Sequence, residues 1–139
     1  MKKSRFLIFV LLFSTGAGLL AQTVEKTFVK SFNLQGAQEV LLQLKGDIAV
    51  QTWDQPIARV QMTVRLEKGS ESLIRSLAQA GRYNLAGKLE AGNFAIAAPG
   101  LAREIQVNGN ALPESISYVV FMPDGVRTVV DDSTAAAAF

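Results

Sequence analysis

Twelve carboxylates, with no histidine and no cysteine, define the chemistry open to this 139-residue chain. Without imidazole the usual general base near neutral pH is missing, and without thiol there is no Cys nucleophile; the common zinc and haem ligands go with them. What stays open is a carboxylate mechanism, a Ser-Lys pair, or a hard metal held by carboxylate oxygens. Two acids that hydrolyse a glycosidic bond must stand about 5 to 9.5 Å apart across a cleft. Asp47, Asp54, Glu67 and Glu90 are the candidates, and their positions in the chain pair none of them. Asp47 and Asp54 each stand beside turn residues, where Asp is expected because its side chain bonds to nearby backbone. Asp131-Asp132 lacks the graded ligand spacing and turn glycine of a calcium loop. Neither GxxxxGK[ST] nor GxGxxG occurs, and Asn108-Gly109-Asn110 reads as a β-turn. The expectation is therefore no catalytic residue, no cofactor and no metal.

Binding is the remaining possibility, and it centres on Trp53 and Asp54 in the stretch GDIAVQTWDQPIARVQ, residues 46–61. Trp53, Tyr83, Phe94 and Tyr118 are the types that form a sugar platform, yet each lies in or beside an apolar strand, where packing is the default. Arg59 and Arg65 share the wet side of one strand with Gln61 and Thr63; an anionic ligand is one reading, a solvated face the plainer one. Trp53 and Asp54 stay as the candidate ligand-binding pair.

The elements that must carry these residues have a period of two. In IARVQMTVRL, Ala58, Val60, Met62, Val64 and Leu66 fall on one side and Arg59, Gln61, Thr63 and Arg65 on the other, which is a strand with one dry and one wet face. Shorter patterns of the same kind span 28–34, 40–44, 47–53, 94–98, 104–107 and 117–122, separated by glycine and proline turn signals such as Lys45-Gly46-Asp47, Asp54-Gln55-Pro56 and Pro123-Asp124-Gly125. Asp54-Gln55-Pro56 is expected to join an antiparallel pair. One segment departs from this rhythm: SESLIRSLAQAG, residues 70–81, sets Leu73, Ile74, Leu77 and Ala78 on a helical stripe, with Ser70 as N-cap, Glu71 in the first turn and Gly81 as the C′ residue. The fold expected is mainly β, with short strands stacked as a solenoid or packed as a sandwich, and one short amphipathic helix.

The domain plan has three parts. Residues 1–21 read as a secretory signal peptide, with Lys2, Lys3 and Arg5 before an apolar core from Phe6 to Phe13 and a small-residue exit ending at Ala21, so that Gln22 would begin the mature chain. An uncleaved anchor is the rival, and the apolar core is short of the roughly 20 residues that a spanning helix needs. Residues 22–130 form the β-rich domain, and 131–139, DDSTAAAAF, a tail expected to be disordered. The first 21 residues carry three of the 14 Lys and Arg and none of the 12 Asp and Glu, so the remainder has 11 against 12 and a net charge of −1. With no basic cluster to follow a phosphate backbone, nucleic acid is not an expected partner. Membrane contact is expected only through the signal segment before cleavage. Disulfides are excluded, and stability must come from the apolar core.

The phrases LKGDIAVQTWDQPIARVQMTVRL and SYVVFMPDGVRTVV resemble adhesin-like exported proteins of unknown function in Gram-negative bacteria, the group called putative autotransporter adhesins with a head GIN domain. Gly46, Asp47, Ile48 and Val50 match the G-(D/N)-(I/V)-x-(V/I) strand of that group, and Tyr118, Val120, Met122, Pro123, Gly125 and Val126 match its strand-turn-strand. The resemblance covers about residues 26 to 130, and the single G-D-I-x-V unit makes it a resemblance to a shortened member. It implies stacked strands and a surface role, and it brings no catalytic residue. The expected function is a non-enzymatic interaction module located in the periplasm, the outer envelope or the extracellular space, with a protein or glycan as its surface ligand. A carbohydrate-binding or carbohydrate-active domain is the alternative.

Overall fold

The strand with the clearest alternation is also the centre of the structure. In the computed structural model, which describes residues 23–131, Ala58, Val60, Met62, Val64 and Leu66 of β4 (Ala58–Leu66) are all fully buried. The leader expected over residues 1–21, residue 22, and the expected tail from 132 onward lie outside the described residues. β4 pairs antiparallel with β1 (Val24–Phe32) on one side and β9 (Glu114–Pro123) on the other, and β9 pairs parallel with β3 (Asp47–Trp53). This first sheet has the order β1-β4-β9-β3. A second four-stranded sheet has the order β10-β2-β6-β5, from β2 (Glu39–Gln43), β5 (Ala86–Glu90), β6 (Asn93–Ala97) and β10 (Arg127–Val130). A two-stranded ribbon, β7 (Gln106–Val107) with β8 (Asn110–Ala111), completes the set.

The two sheets pack face to face around one apolar core. From the first sheet come Phe32, Met62, Tyr118, Val120 and Met122; from the second, Val40, Leu42, Phe94 and Ile96; all belong to one buried cluster. Each such side chain, fully buried, contributes roughly 1.5–3 kcal/mol from the water it leaves. Solenoid and sandwich features coexist in this arrangement. β10, β2 and β6 run parallel, as do β3 and β9, in the manner of stacked turns, whereas β1, β4 and β9, and β5 with β6, are antiparallel. The chain crosses between sheets at Lys45-Gly46, where Gly46 has φ +134° and an added Cβ would stand 2.5 Å from the Ile116 carbonyl oxygen. Glycine is required there on both counts.

The helix α1 (Glu71–Gln79) follows its sequence signals closely. Ser70 has extended backbone and its Oγ accepts from the Leu73 N–H at 3.1 Å, while the Arg82 N–H donates to the Leu77 carbonyl and the Gly81 N–H to that of Ala78. With Gly81 at φ +89° this is a Schellman ending. Ile74 is buried, and Leu73, Leu77 and Ala78 pack on the core from the edge of the same stripe.

The expected antiparallel pair across Asp54-Gln55-Pro56 does not form. β9 lies between β3 and β4, in register with both: Ile48, Tyr118 and Met62 form one row across the three strands. The connection at residues 54–57 is long enough for this, since four residues reach about 13 Å and two interstrand spacings need only about 9.5 Å.

Candidate functional site

Because β-strands alternate, the inner rows of the first sheet fix what stands on its outer face. Register places Glu25, Arg65 and Ser115 in one outer row, then Thr27, Thr63, Ser117 and Asp47, then Val29, Gln61, Val119 and Ala49, then Ser31, Arg59, Phe121 and Gln51, with Trp53 beyond. The face is graded from hydroxyl and charge at one end to aromatic and guanidinium at the other.

At the polar end the Thr27 and Thr63 hydroxyls are 3.0 Å apart, and a hollow of ≈ 320 Å³ is lined by Glu25, Asp47, Thr63, Arg65, Ser115 and Ser117. At the aromatic end the rings of Trp53 and Phe121 have centroids 5.2 Å apart, and the Arg59 guanidinium lies 5.0 Å from the centre of the Trp53 ring. Arg59 Nε also donates to Ser31 Oγ at 3.4 Å. A cation over an exposed indole contributes about 0.5–1 kcal/mol, a modest bias toward this arrangement. The Trp53 Nε1–H donates to the Ile57 carbonyl at 2.8 Å, so the indole's polar edge closes the β3–β4 turn and its apolar body is left on the face. Val29, 56% exposed, stands on the β1 side of the same face, with Gln61 between it and Val119.

Of the two residues proposed from sequence, Trp53 is thus part of a three-membered cluster with Phe121 and Arg59, and Asp54 is exposed at the turn, where its Oδ1 accepts from Gln55 Nε2 at 3.3 Å. Tyr83, Phe94 and Tyr118, the other aromatic candidates, are buried in the core. The four candidate acids stand on different parts of the chain: Asp47 opens β3, Asp54 lies in the turn just after it, about 23 Å away at 3.3 Å per residue, and Glu67 follows the end of β4, where its N–H donates to the Pro113 carbonyl. Glu90 belongs to the second sheet, with Lys88 at 4.0 Å. Among the described residues no group of three or more acids gathers as metal ligands would. Phe121 was missed, although its signal is in the sequence: the unbroken apolar run Val119 to Met122 means that β9 carries apolar residues on both faces.

A second polar constellation lies on the inner side. Glu114, in phase with the dry residues of β9, receives Arg82 through two bonds of 3.1 and 2.8 Å and the Tyr83 hydroxyl at 2.6 Å, while Arg82 Nη1 donates to the carbonyls of Arg103 and Gly100. The Arg82 and Glu114 side chains are 9% exposed. Burial first, and the bond to Glu114 second, push the Tyr83 hydroxyl well above the usual phenol range; the bond to Glu114 holds Arg82 above its ordinary value. Burial, with the charge of Glu114 behind it, does the same to Tyr118, whose hydroxyl has no hydrogen-bond partner among the described residues. With both carboxylate oxygens of Glu114 engaged, this group acts as a clamp between the helix end, the turn at 99–103 and β9.

No family model matches the chain, and no curated protein matches it. Among solved structures it is similar to a putative cell adhesion protein from Clostridium sporogenes, at 12% identity and a TM-score of 0.42, over 77% of this chain and 46% of that one. The chain thus spans less than half the length of that protein.

Proposed function

We propose that the chain is an exported, non-enzymatic interaction module of the cell envelope or surface, which binds a protein partner through the outer face of the first sheet. The observation that carries this reading is the Arg59–Trp53–Phe121 cluster standing on the outer face of a sheet whose inner face packs on the core. Tryptophan, arginine and other aromatic residues dominate binding hot spots, and a rigid sheet presents them with little ordering cost. The basic start, apolar core and small-residue exit of residues 1–21 support export. The likeness of Gly46-Asp47-Ile48 and of Tyr118 to Val126 to adhesin-like proteins supports a surface role.

The test is binding of the labelled chain to intact cells and to isolated envelope protein, with Trp53→Ala and Arg59→Ala beside the wild type. Loss of at least tenfold in affinity for both variants, with unchanged circular dichroism, is expected; equal binding by wild type and variants overturns the reading. Glycan binding through Trp53 and Asp54 is the second reading, favoured by the partly exposed indole at the strand end beside the exposed Asp54 carboxylate. A glycan array and a sugar-release screen separate it from the first, since only this reading expects a signal there that Trp53→Ala removes.

A further inference from the structure

We propose that the free edge of β3 is a self-association site: two copies of the chain pair their β3 strands antiparallel about a twofold axis at Val50, joining two four-stranded sheets into one of eight strands. The inference rests on the strand edge and not on the ligand-binding reading, although the pairing brings Asp47 of each copy up to the partner's Trp53.

The four edges of the two main sheets are not equally protected. Exposed edges are normally guarded by short length, lysine, proline or inward-pointing charge. β1 sets Lys26 and Lys30 on its inner rows, between Val24, Phe28 and Phe32. β5 has five residues and carries Lys88, and β10 has four and carries Arg127. β3 is seven residues long, DIAVQTW, without lysine, arginine or proline. Among the described residues its second edge pairs with no strand, and its inner-row Val50 is 40% exposed.

The strand is complementary to itself. Centred on Val50, antiparallel pairing sets Asp47 opposite the partner's Trp53, Ile48 opposite the partner's Thr52, and Ala49 opposite the partner's Gln51. Inner rows continue into inner rows, and the two Val50 side chains cover each other. Asp47 is the strand's one ionisable group, and at each end of the pairing it approaches the Trp53 ring that carries Arg59, so opposite charges meet twice. In-register parallel pairing would instead set Asp47 against Asp47. A single-strand interface falls below the roughly 1,200 Å² of stable specific interfaces, so the dimer is expected to depend on concentration.

Sedimentation velocity of the full chain at rising concentration is expected to show a monomer–dimer equilibrium, and Val50→Lys, which copies the guard of β1, to remain monomeric with unchanged circular dichroism. The chain has no cysteine of its own, so introduced thiols report the register. Two Val50→Cys chains would bring their Cα atoms to about 4.5–5.5 Å, within disulfide reach. Two Thr52→Cys chains would hold theirs more than about 13 Å apart, out of reach. Rapid cross-linking of the first and not the second supports the proposal. A monomer at every concentration, a dimer that survives Val50→Lys, or equal cross-linking of the two thiol variants overturns it.

Discussion

The two flanks of the sandwich are closed by different means. On the flank of β1 and β5, Lys30 Nζ donates to the Leu85 carbonyl at 2.8 Å, Phe28 stacks on Tyr83 at 5.3 Å, and Phe32 meets Phe94 edge-on at 6.0 Å. Tyr83 leads on to Glu114 and Arg82, so the seam is bonded as well as packed. On the flank of β3 and β10, inner-row Val50 and Val130 remain 40% and 51% exposed. The first flank also leaves inner-row Leu89 of β5 41% exposed, so the two flanks differ in the hydrogen bonds and ring contacts that join the sheets and not in exposed apolar surface. Packing alone does not finish a sandwich edge; charged or hydrogen-bonded side chains do so here.

That contrast is broken most severely at Arg82. Arg82→Ala leaves the Glu114 carboxylate without its cation, and losing the charge-assisted hydrogen bonds of this part-buried pair costs about 1.5–3 kcal/mol; urea unfolding should show the loss, and a loss below ~1 kcal/mol would deny the clamp its role. Alkali acts on the same side. The folded state holds the Tyr83 and Tyr118 protons more tightly than the unfolded chain, so unfolding releases them, and this stability is present below the unfolded phenol value and lost as pH rises. Above about pH 10 stability should fall by up to ~2.7 kcal/mol per pH unit for the two phenols together, and Tyr83→Phe should flatten that slope. Gly87→Ala would drive a methyl to 2.6 Å from the Phe32 ring and 2.7 Å from that of Phe94. Such overpacking costs about 1–3 kcal/mol, read as a lowered Tm. The smallest effect on stability, with the sharpest effect on the comparison, is expected for Lys26→Val with Lys30→Val. The closed flank should then gain the association that belongs to the open one, seen as larger species in sedimentation that persist when Val50→Lys is added.

How much of this was legible in the sequence depends on how local each cause is. β3 and β4 have the bounds that their alternation marks, and α1 has the cap and the glycine ending read from Ser70 and Gly81, because those signals act within a few residues. β5, AGKLE, has no alternation and is exposed along most of its length; it is a strand because β6 lies beside it. The misread turn after Trp53 has the same origin, since the strand that separates β3 from β4 begins at Glu114. Trp53 and Asp54 could be placed at a strand end and a turn, but the pairing that brings Phe121 and Arg59 to Trp53 is contributed by β9. Glu114 was readable in principle, as a carboxylate in phase with Ile116, Tyr118 and Val120, and that phase called for a buried cationic partner.

The position of β9 between β3 and β4 also sets a timetable. β1 and β4 can zip together as soon as Leu66 has emerged, but β3 has no partner in its sheet until β9 arrives, and residues 54–113 must come first. At the synthesis rate of about 5–20 residues per second, that interval is roughly 3–12 s. Closing the β4–β9 ladder across residues 67–113 then carries a length-dependent entropy cost of about 3 kcal/mol. The strand with the least protected edge is therefore the one that waits longest, and the seconds before β9 docks are when a newly made copy is most open to its neighbours.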